Sequence, residues 1–184
     1  HQEYGVRQLL VEHTHFNDPE KREHIRWLLI RAAQQKTIPI VNYNDPVSDE
    51  ENRKMELAIR RSHGDQVVEC VDNDETAAVI ANLVHAKKLV LMTSTEGIYR
   101  DPADPKTLVE QVTAKSMEEL EEKVRQLQES CVGASRAGAN GAKAKLEYAL
   151  KSARQGTMVI IGHARHRLSD LVEGRVACTR IGLE

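Results

Sequence analysis

The sequence predicts an α/β protein with a mostly parallel sheet covered by helices on both faces. Three observations carry this. Short apolar runs of strand length alternate with longer segments whose apolar residues recur at helical spacing. Several strand runs are nearly continuous in apolar residues, as in parallel sheets buried on both sides. With 184 residues, 40% hydrophobic and 29% charged, the chain is long enough for one domain with a real core.

The elements are expected in this order. Val6–Glu12 reads as a strand and Phe16–Pro19 as the turn after it. Asp18 caps a helix reaching to Gln35, with Pro19 at its first position and Ile25, Leu28, Leu29, Ala32 and Ala33 at helical spacing. Ile38–Val41 is a strand. A charged, solvated helix is expected around Glu51–Arg61, and a strand at Gln66–Val71. Asp72, with Glu75 three residues on, forms a capping-box pattern for a helix bearing Ala77, Ile80 and Val84 on one face. Leu89–Met92 is a strand of the doubly buried kind, turned by Glu96-Gly97, and Asp101–Pro105 is a loop. Ser116–Glu129 is a charged helix with Leu120, Val124 and Leu127 inward. A glycine-rich stretch, Gly133–Gly141, leads into a helix with Leu146, Ala149, Leu150 and Ala153 on one face, stopped by Gly156. Met158–Ile161 and Val176–Ile181 are the last strands.

Composition excludes several classes of function. The 26 Lys+Arg and 28 Asp+Glu give a net charge of −2, without the basic excess that a nucleic-acid footprint requires. No apolar run approaches the roughly 20 residues of a membrane helix, and His1–Gly5 does not read as a signal peptide. Cys70, Cys131 and Cys178 are scattered and odd in number, which fits reduced thiols in a cytoplasmic protein. The close pairs His13/His15 and His163/His166 lack a matching Cys or carboxylate set, so they read as surface histidines, with no metal site assigned.

Chemistry is expected at the carboxyl ends of the strands, where loops lead into helices. Three such ends are polar: Asn42-Tyr43-Asn44-Asp45, Asp72-Asn73-Asp74 and Thr93-Ser94-Thr95-Glu96-Gly97. Asn73 can donate and accept, which suits a zwitterionic small molecule, and a carboxylate such as Asp74 can hold a catalytic lysine. The same triplet also serves as an acidic helix start that complements the macrodipole. In Gly138-Ala139-Asn140-Gly141-Ala142-Lys143-Ala144-Lys145, glycines let backbone N–H groups approach a phosphate, and Lys145 in the first helical turn faces the same anion. A flexible loop before a helix with surface lysines is the competing reading, and the spacing is not that of a Walker A loop.

In order, these pieces resemble the amino acid kinase family. The resemblance rests on Ile38–Asp45, on Asp72-Asn73-Asp74 followed by Thr76-Ala77-Ala78, on Leu91–Tyr99 followed by Asp101-Pro102, and on Ala139–Ala149. It is greatest to members that phosphorylate the side-chain carboxylate of L-glutamate, the first step of proline biosynthesis. Members acting on N-acetylglutamate or aspartate, and a non-catalytic nucleotide-binding relative, are the alternatives. The resemblance implies a three-layer sandwich and transfer of the γ-phosphoryl group of ATP, with Mg2+ carried by the nucleotide. It implies that Asp45, Asp72 and Asn73 bind the amino acid and that Asp74 and Lys145 are catalytic. Thr93, Ser94, Ala139, Asn140, Gly141, Ala142, Lys143 and Lys145 would lie at the nucleotide.

The family's opening strand, its lysine-bearing glycine turn and a serine–glycine segment have no counterpart here, and Ser94 stands where an acidic residue is usual. The chain is therefore expected to be one N-terminally incomplete domain, residues 1–184, forming the last two thirds of the fold without an added C-terminal RNA-binding-type domain. The family often dimerises, and the helix from Asp18 to Gln35 could serve as an interface or as a sheet cover.

Overall fold

The computed structural model describes residues 3–43, 58–59, 61–62, 67, 73–101, 103–130 and 141–184. These fall into two compact units, His1–Thr76 and Ala77–Glu184.

In the first unit, strands β1 (Gly5–Val11) and β2 (Thr37–Tyr43) pair in parallel, with Val6 opposite Ile38 and Val11 opposite Tyr43. Parallel neighbours need a crossover, and helices α1 (His13–Asn17) and α2 (Pro19–Gln34) provide it. Asp18 caps α2 as expected, its Oδ1 accepting from the backbone N–H of Glu20 at 2.9 Å and of Lys21 at 3.1 Å. Ile25, Leu29 and Ala32 form its buried stripe. The stretch expected as a turn, Phe16–Pro19, instead starts inside a helix. A reciprocal cap between Glu12 and His15 fixes α1, with His15 Nδ1 accepting from Glu12 N–H at 3.0 Å and Phe16 buried beneath it. Helix α2 packs on the strand pair. Side chains alternate along strands, so Val6, Leu10, Ile38 and Ile40 share one face; all four are exposed, while Val11 is buried.

The helix α3 (Asn73–Leu83) leads into the second unit. Its buried residues are Thr76, Ala78 and Ala81; the expected Ala77, Ile80 and Val84 are half-buried. The helix expected around Glu51–Arg61, the strand at Gln66–Val71, and Cys70 and Cys131 lie outside the described residues, apart from Ala58, Ile59, Arg61 and Val67.

A four-stranded sheet organises the second unit, in the order β3 (Lys88–Thr93), β7 (Met158–His163), β8 (Thr179–Leu183), β6 (Gln111–Ala114). β3 and β7 are parallel, as are β6 and β8, while β7 and β8 run antiparallel. Between β3 and β6 lies a small antiparallel pairing of β4 (Ile98–Tyr99) with β5 (Leu108–Val109), two short strands on either side of the expected loop Asp101–Pro105. Helices α4 (Met117–Ser130) and α5 (Gly141–Ala153) cover one face of the sheet. They bring Leu120, Val124, Leu127, Leu146, Ala149 and Ala153 against Val159, Ile161 and Ile181. On the other face Ile160 packs with Leu171 of α6 (Leu168–Glu173) and with the free thiol of Cys178. β7 is thus the doubly buried strand. β3 departs from that expectation: it stands at the end of the described sheet, only Leu91 is buried, and Met92 is 47% exposed.

Surface charge on α4 is organised at helical spacing. Lys123 bridges to Glu119 at 2.7 Å, and Arg125 reaches both Glu122 at 2.7 Å and Glu129 at 2.8 Å. The Lys123 hydrogen bond, followed by the backbone N–H of Lys115, holds the Glu119 carboxyl below the usual range. Arg125, followed by Gln126, does the same for Glu122.

Two outcomes follow from this packing. Leu120 is fully buried, so Leu120→Ala should lower unfolding free energy by about 2–5 kcal/mol in a urea titration. Because the folded state depresses the carboxyls of Glu119 and Glu122, their stabilisation is present above the ordinary value of 4.5 and is lost as pH falls through the lowered folded values. Urea midpoints measured across the acid range should therefore fall less steeply in Glu122→Gln than in the parent chain.

Candidate functional site

Parallel pairing sets the carboxyl ends of β3 and β7 side by side, with Thr93 opposite His163. The chain leaves both strands at that edge, as open α/β sheets require for a ligand site.

After β3 the residues Thr93–Gly97 form a turn wound by hydroxyl groups. Thr93 Oγ1 accepts from Thr95 N–H at 2.9 Å and lies 3.0 Å from the Thr95 carbonyl oxygen and 3.1 Å from Thr95 Oγ1. Thr95 Oγ1 in turn donates to the Gly97 carbonyl at 3.0 Å. Such local bonds replace a strand ladder with a fixed turn. Gly97 is required by close approach: a Cβ there would stand 2.4 Å from Thr179 Oγ1 and 2.9 Å from Thr179 N. Thr179, itself fully buried, donates its hydroxyl to the Val109 carbonyl at 2.6 Å and accepts from Ile98 N–H at 2.8 Å. Thr93 therefore works through the turn, and Ser94 is the residue of the expected pair that the turn exposes.

The neighbouring turn after β7 is tied to the first. Ala164 N–H donates to the Thr93 carbonyl at 2.8 Å, His166 N–H donates to the His163 carbonyl at 3.1 Å, and Arg165 N–H donates to His163 Nδ1 at 3.0 Å. This brings Arg165 and His166 onto the Glu96 carboxylate, His166 Nε2 lying 2.6 Å from Oε2 and the Arg165 guanidinium binding Oε1. From sequence, His163 and His166 read as surface histidines, and Glu96 is placed in the polar turn after the strand with no partner assigned. The available signal was an acidic turn after one parallel strand and a basic run after the next. Among the described residues, no group of three His, Cys, Asp or Glu is placed to hold a metal ion. No helix there is long and apolar enough to cross a membrane.

Of the expected nucleotide residues, Gly141, Ala142 and Lys143 occupy the first turn of α5 and Lys145 opens the second. Gly141 has φ 54°, a left-handed conformation that favours glycine at the entry to the helix. The first turn contains no acidic residue, whereas α3 begins with Asp74 and Glu75 and α4 with Glu118 and Glu119. Cations at a helix N-terminus oppose the macrodipole, while an anion bound there relieves both. Lys143 is exposed and its carbonyl accepts from Gln128 Nε2 at 3.0 Å; Lys145 is half-buried. In the first unit, Asn73 is exposed and Asp74 half-buried at the start of α3. Asp45, Asp72, Ala139 and Asn140 lie outside the described residues.

A family model described as the amino acid kinase family matches residues 2–163. The glutamate 5-kinase of Geobacillus kaustophilus is 30% identical over 183 residues, covering 98% of this chain and 43% of that protein. The glutamate 5-kinase of Chromobacterium violaceum is 28% identical over 183 residues, covering 97% and 44%. The chain thus spans less than half the length of these curated relatives. Among solved structures, a protein of Aeropyrum pernix K1 aligns with a TM-score of 0.49 at 18% identity, over 86% of this chain and 45% of that one.

The two hydroxyl residues of the turn should respond differently to substitution. Thr93→Val removes the hydrogen bonds that wind it and should cost about 1–2 kcal/mol in a denaturant titration. Ser94→Ala, at the exposed position, should stay within about 0.5 kcal/mol of the parent.

Proposed function

The chain belongs to the amino acid kinase family, and we propose that it transfers the γ-phosphoryl group of Mg-ATP to the side-chain carboxylate of L-glutamate. A carboxylate oxygen attacks the γ-phosphorus, the bond from that phosphorus to the β,γ-bridging oxygen breaks, and ADP leaves with an acyl phosphate as the other product.

The observation that carries this reading is the start of α5, where backbone N–H groups after a glycine and two lysines replace the acidic residues that open α3 and α4. Phosphoryl transfer asks mainly for positioning and for neutralisation of negative charge spread over the γ-phosphoryl oxygens. Lys145 meets that charge, and the helix N-terminus with Gly141, Ala142 and Lys143 receives the phosphates. The turn bearing Thr93 and Ser94, at the carboxyl edge of the sheet, supplies the second contact with the nucleotide. Ala139 and Asn140 keep the place at the nucleotide that the resemblance gives them. Asp45, Asp72 and Asn73 are assigned to the amino acid on the same ground, and Asp74 keeps its catalytic assignment. Magnesium enters with ATP as part of the substrate. The names of the curated relatives support glutamate over aspartate or N-acetylglutamate, and a place in proline biosynthesis and in the cytoplasm goes with that reading.

The test is a hydroxylamine trap with Mg-ATP and, in turn, glutamate, aspartate and N-acetylglutamate. Hydroxamate with glutamate alone is expected. Formation with one of the other acids would reassign the substrate, and Mg-ATP binding without hydroxamate from any acid would leave a non-catalytic relative. Lys145→Ala should lower the hydroxamate rate by about 10²–10³-fold, the effect of losing one charge-stabilising donor.

A further inference from the structure

Glu96 is the one acidic residue of the turn Thr93–Gly97, and its side chain is only 17% exposed. A carboxylate there brings negative charge to the turn that, in the reading above, faces a triphosphate. Both of its oxygens are occupied by groups from the next strand end: the Arg165 guanidinium on Oε1 and His166 Nε2 on Oε2. An ionised carboxylate only accepts, so His166 Nε2 carries the hydrogen. His166 is itself 20% exposed, whereas Arg165 is 63% exposed. The clamp is not an isolated surface pair, because the backbone that bears it is anchored at Ala164 to Thr93 and at Arg165 and His166 to His163.

We propose that Glu96, held by Arg165 and His166, is a positioning residue for Mg-ATP. The clamp locks the β3 turn to the β7 turn and cancels the carboxylate charge, so that Ser94 and the neighbouring backbone meet the nucleotide in one geometry. This rests on the nucleotide assignment above and adds a group outside the motif residues. Two effects are combined, and they separate chemically. Removing Glu96 frees the turn but also removes its charge. Removing Arg165 and His166 together frees the turn and leaves that charge bare in front of the phosphates. The second change must therefore harm Mg-ATP binding more than the first, an ordering that a merely structural contact would not produce.

The experiment measures Mg-ATP affinity of the 184-residue chain by calorimetry, with KM and kcat in the hydroxamate assay, for Glu96→Ala, Arg165→Ala/His166→Ala, and the latter pair combined with Glu96→Gln. Thermal melts identify any variant that fails to fold. Glu96→Ala is expected to weaken Mg-ATP binding about tenfold, the factor that about one lost hydrogen bond carries, with kcat and glutamate KM much less affected. The double variant should weaken it further, and adding Glu96→Gln should recover part of that loss. Parental affinity in folded Glu96→Ala overturns the proposal, as does a double variant that Glu96→Gln does not rescue. A fall confined to kcat overturns it as well. If the parent chain binds Mg-ATP but makes no hydroxamate, the catalytic reading fails while the affinity series still decides this one. A parent chain that binds no Mg-ATP overturns both.

Discussion

The burial of one strand on both its faces is the constraint on which the second unit depends. Val159, Ile160 and Ile161 of Met158–His163 are all fully buried, and alternation sends them to opposite sides of the sheet. Two separate apolar clusters must therefore form, one beneath the helices Met117–Ser130 and Gly141–Ala153 and one beneath Leu168–Glu173. A strand so enclosed has no freedom to slip register, because a shift by one residue would exchange its two faces. The neighbouring strand Lys88–Thr93 inherits that fixed register through the parallel ladder.

Rigidity in the core becomes precision at the edge. Once the register is set, Thr93 and His163 end opposite each other, and the turns beyond them carry Ser94, Thr95, Glu96, Arg165 and His166. The two turns are then short enough to bond to one another, through the Thr93 carbonyl and through Glu96. Gly97 and Thr179 close the arrangement from below, since the space a Cβ would need is taken by the Thr179 hydroxyl and backbone. A turn placed this way has few alternative conformations, so a ligand bound there would spend little binding energy on ordering the loop. The start of Gly141–Ala153 differs: it carries Lys143 and Lys145 and has no acidic residue in its first turn.

Much of the element pattern was legible before any coordinates. Asp18 as a cap, the inward positions Leu120, Val124 and Leu127, and the inward positions Leu146, Ala149 and Ala153 all follow from periodicity and capping chemistry, which are local. The misreadings have a common cause. Phe16–Pro19 looked like a turn because a five-residue helix has too few residues to show a period, and Glu12 is not among the residue types that signal an N-cap. Leu89–Met92 looked doubly buried because it is apolar, but apolar composition says nothing about which strand lies at the end of the described sheet.

The candidate site divides along the same line. Helix starts, glycine positions and hydroxyl-rich strand ends are written in short stretches of sequence, so Thr93, Ser94, Gly141, Lys143 and Lys145 could be singled out from their neighbours alone. That Thr93 winds a turn instead of presenting its hydroxyl, and that Glu96 meets Arg165 and His166 across 69 and 70 residues, was decided only by strand pairing. The sequence by itself determined the alternation of helix and strand and the polar strand ends, because each is encoded by spacing within a dozen or so residues. The tertiary structure decided which of those ends are neighbours, because parallel pairing joins residues whose separation along the chain carries no local signal.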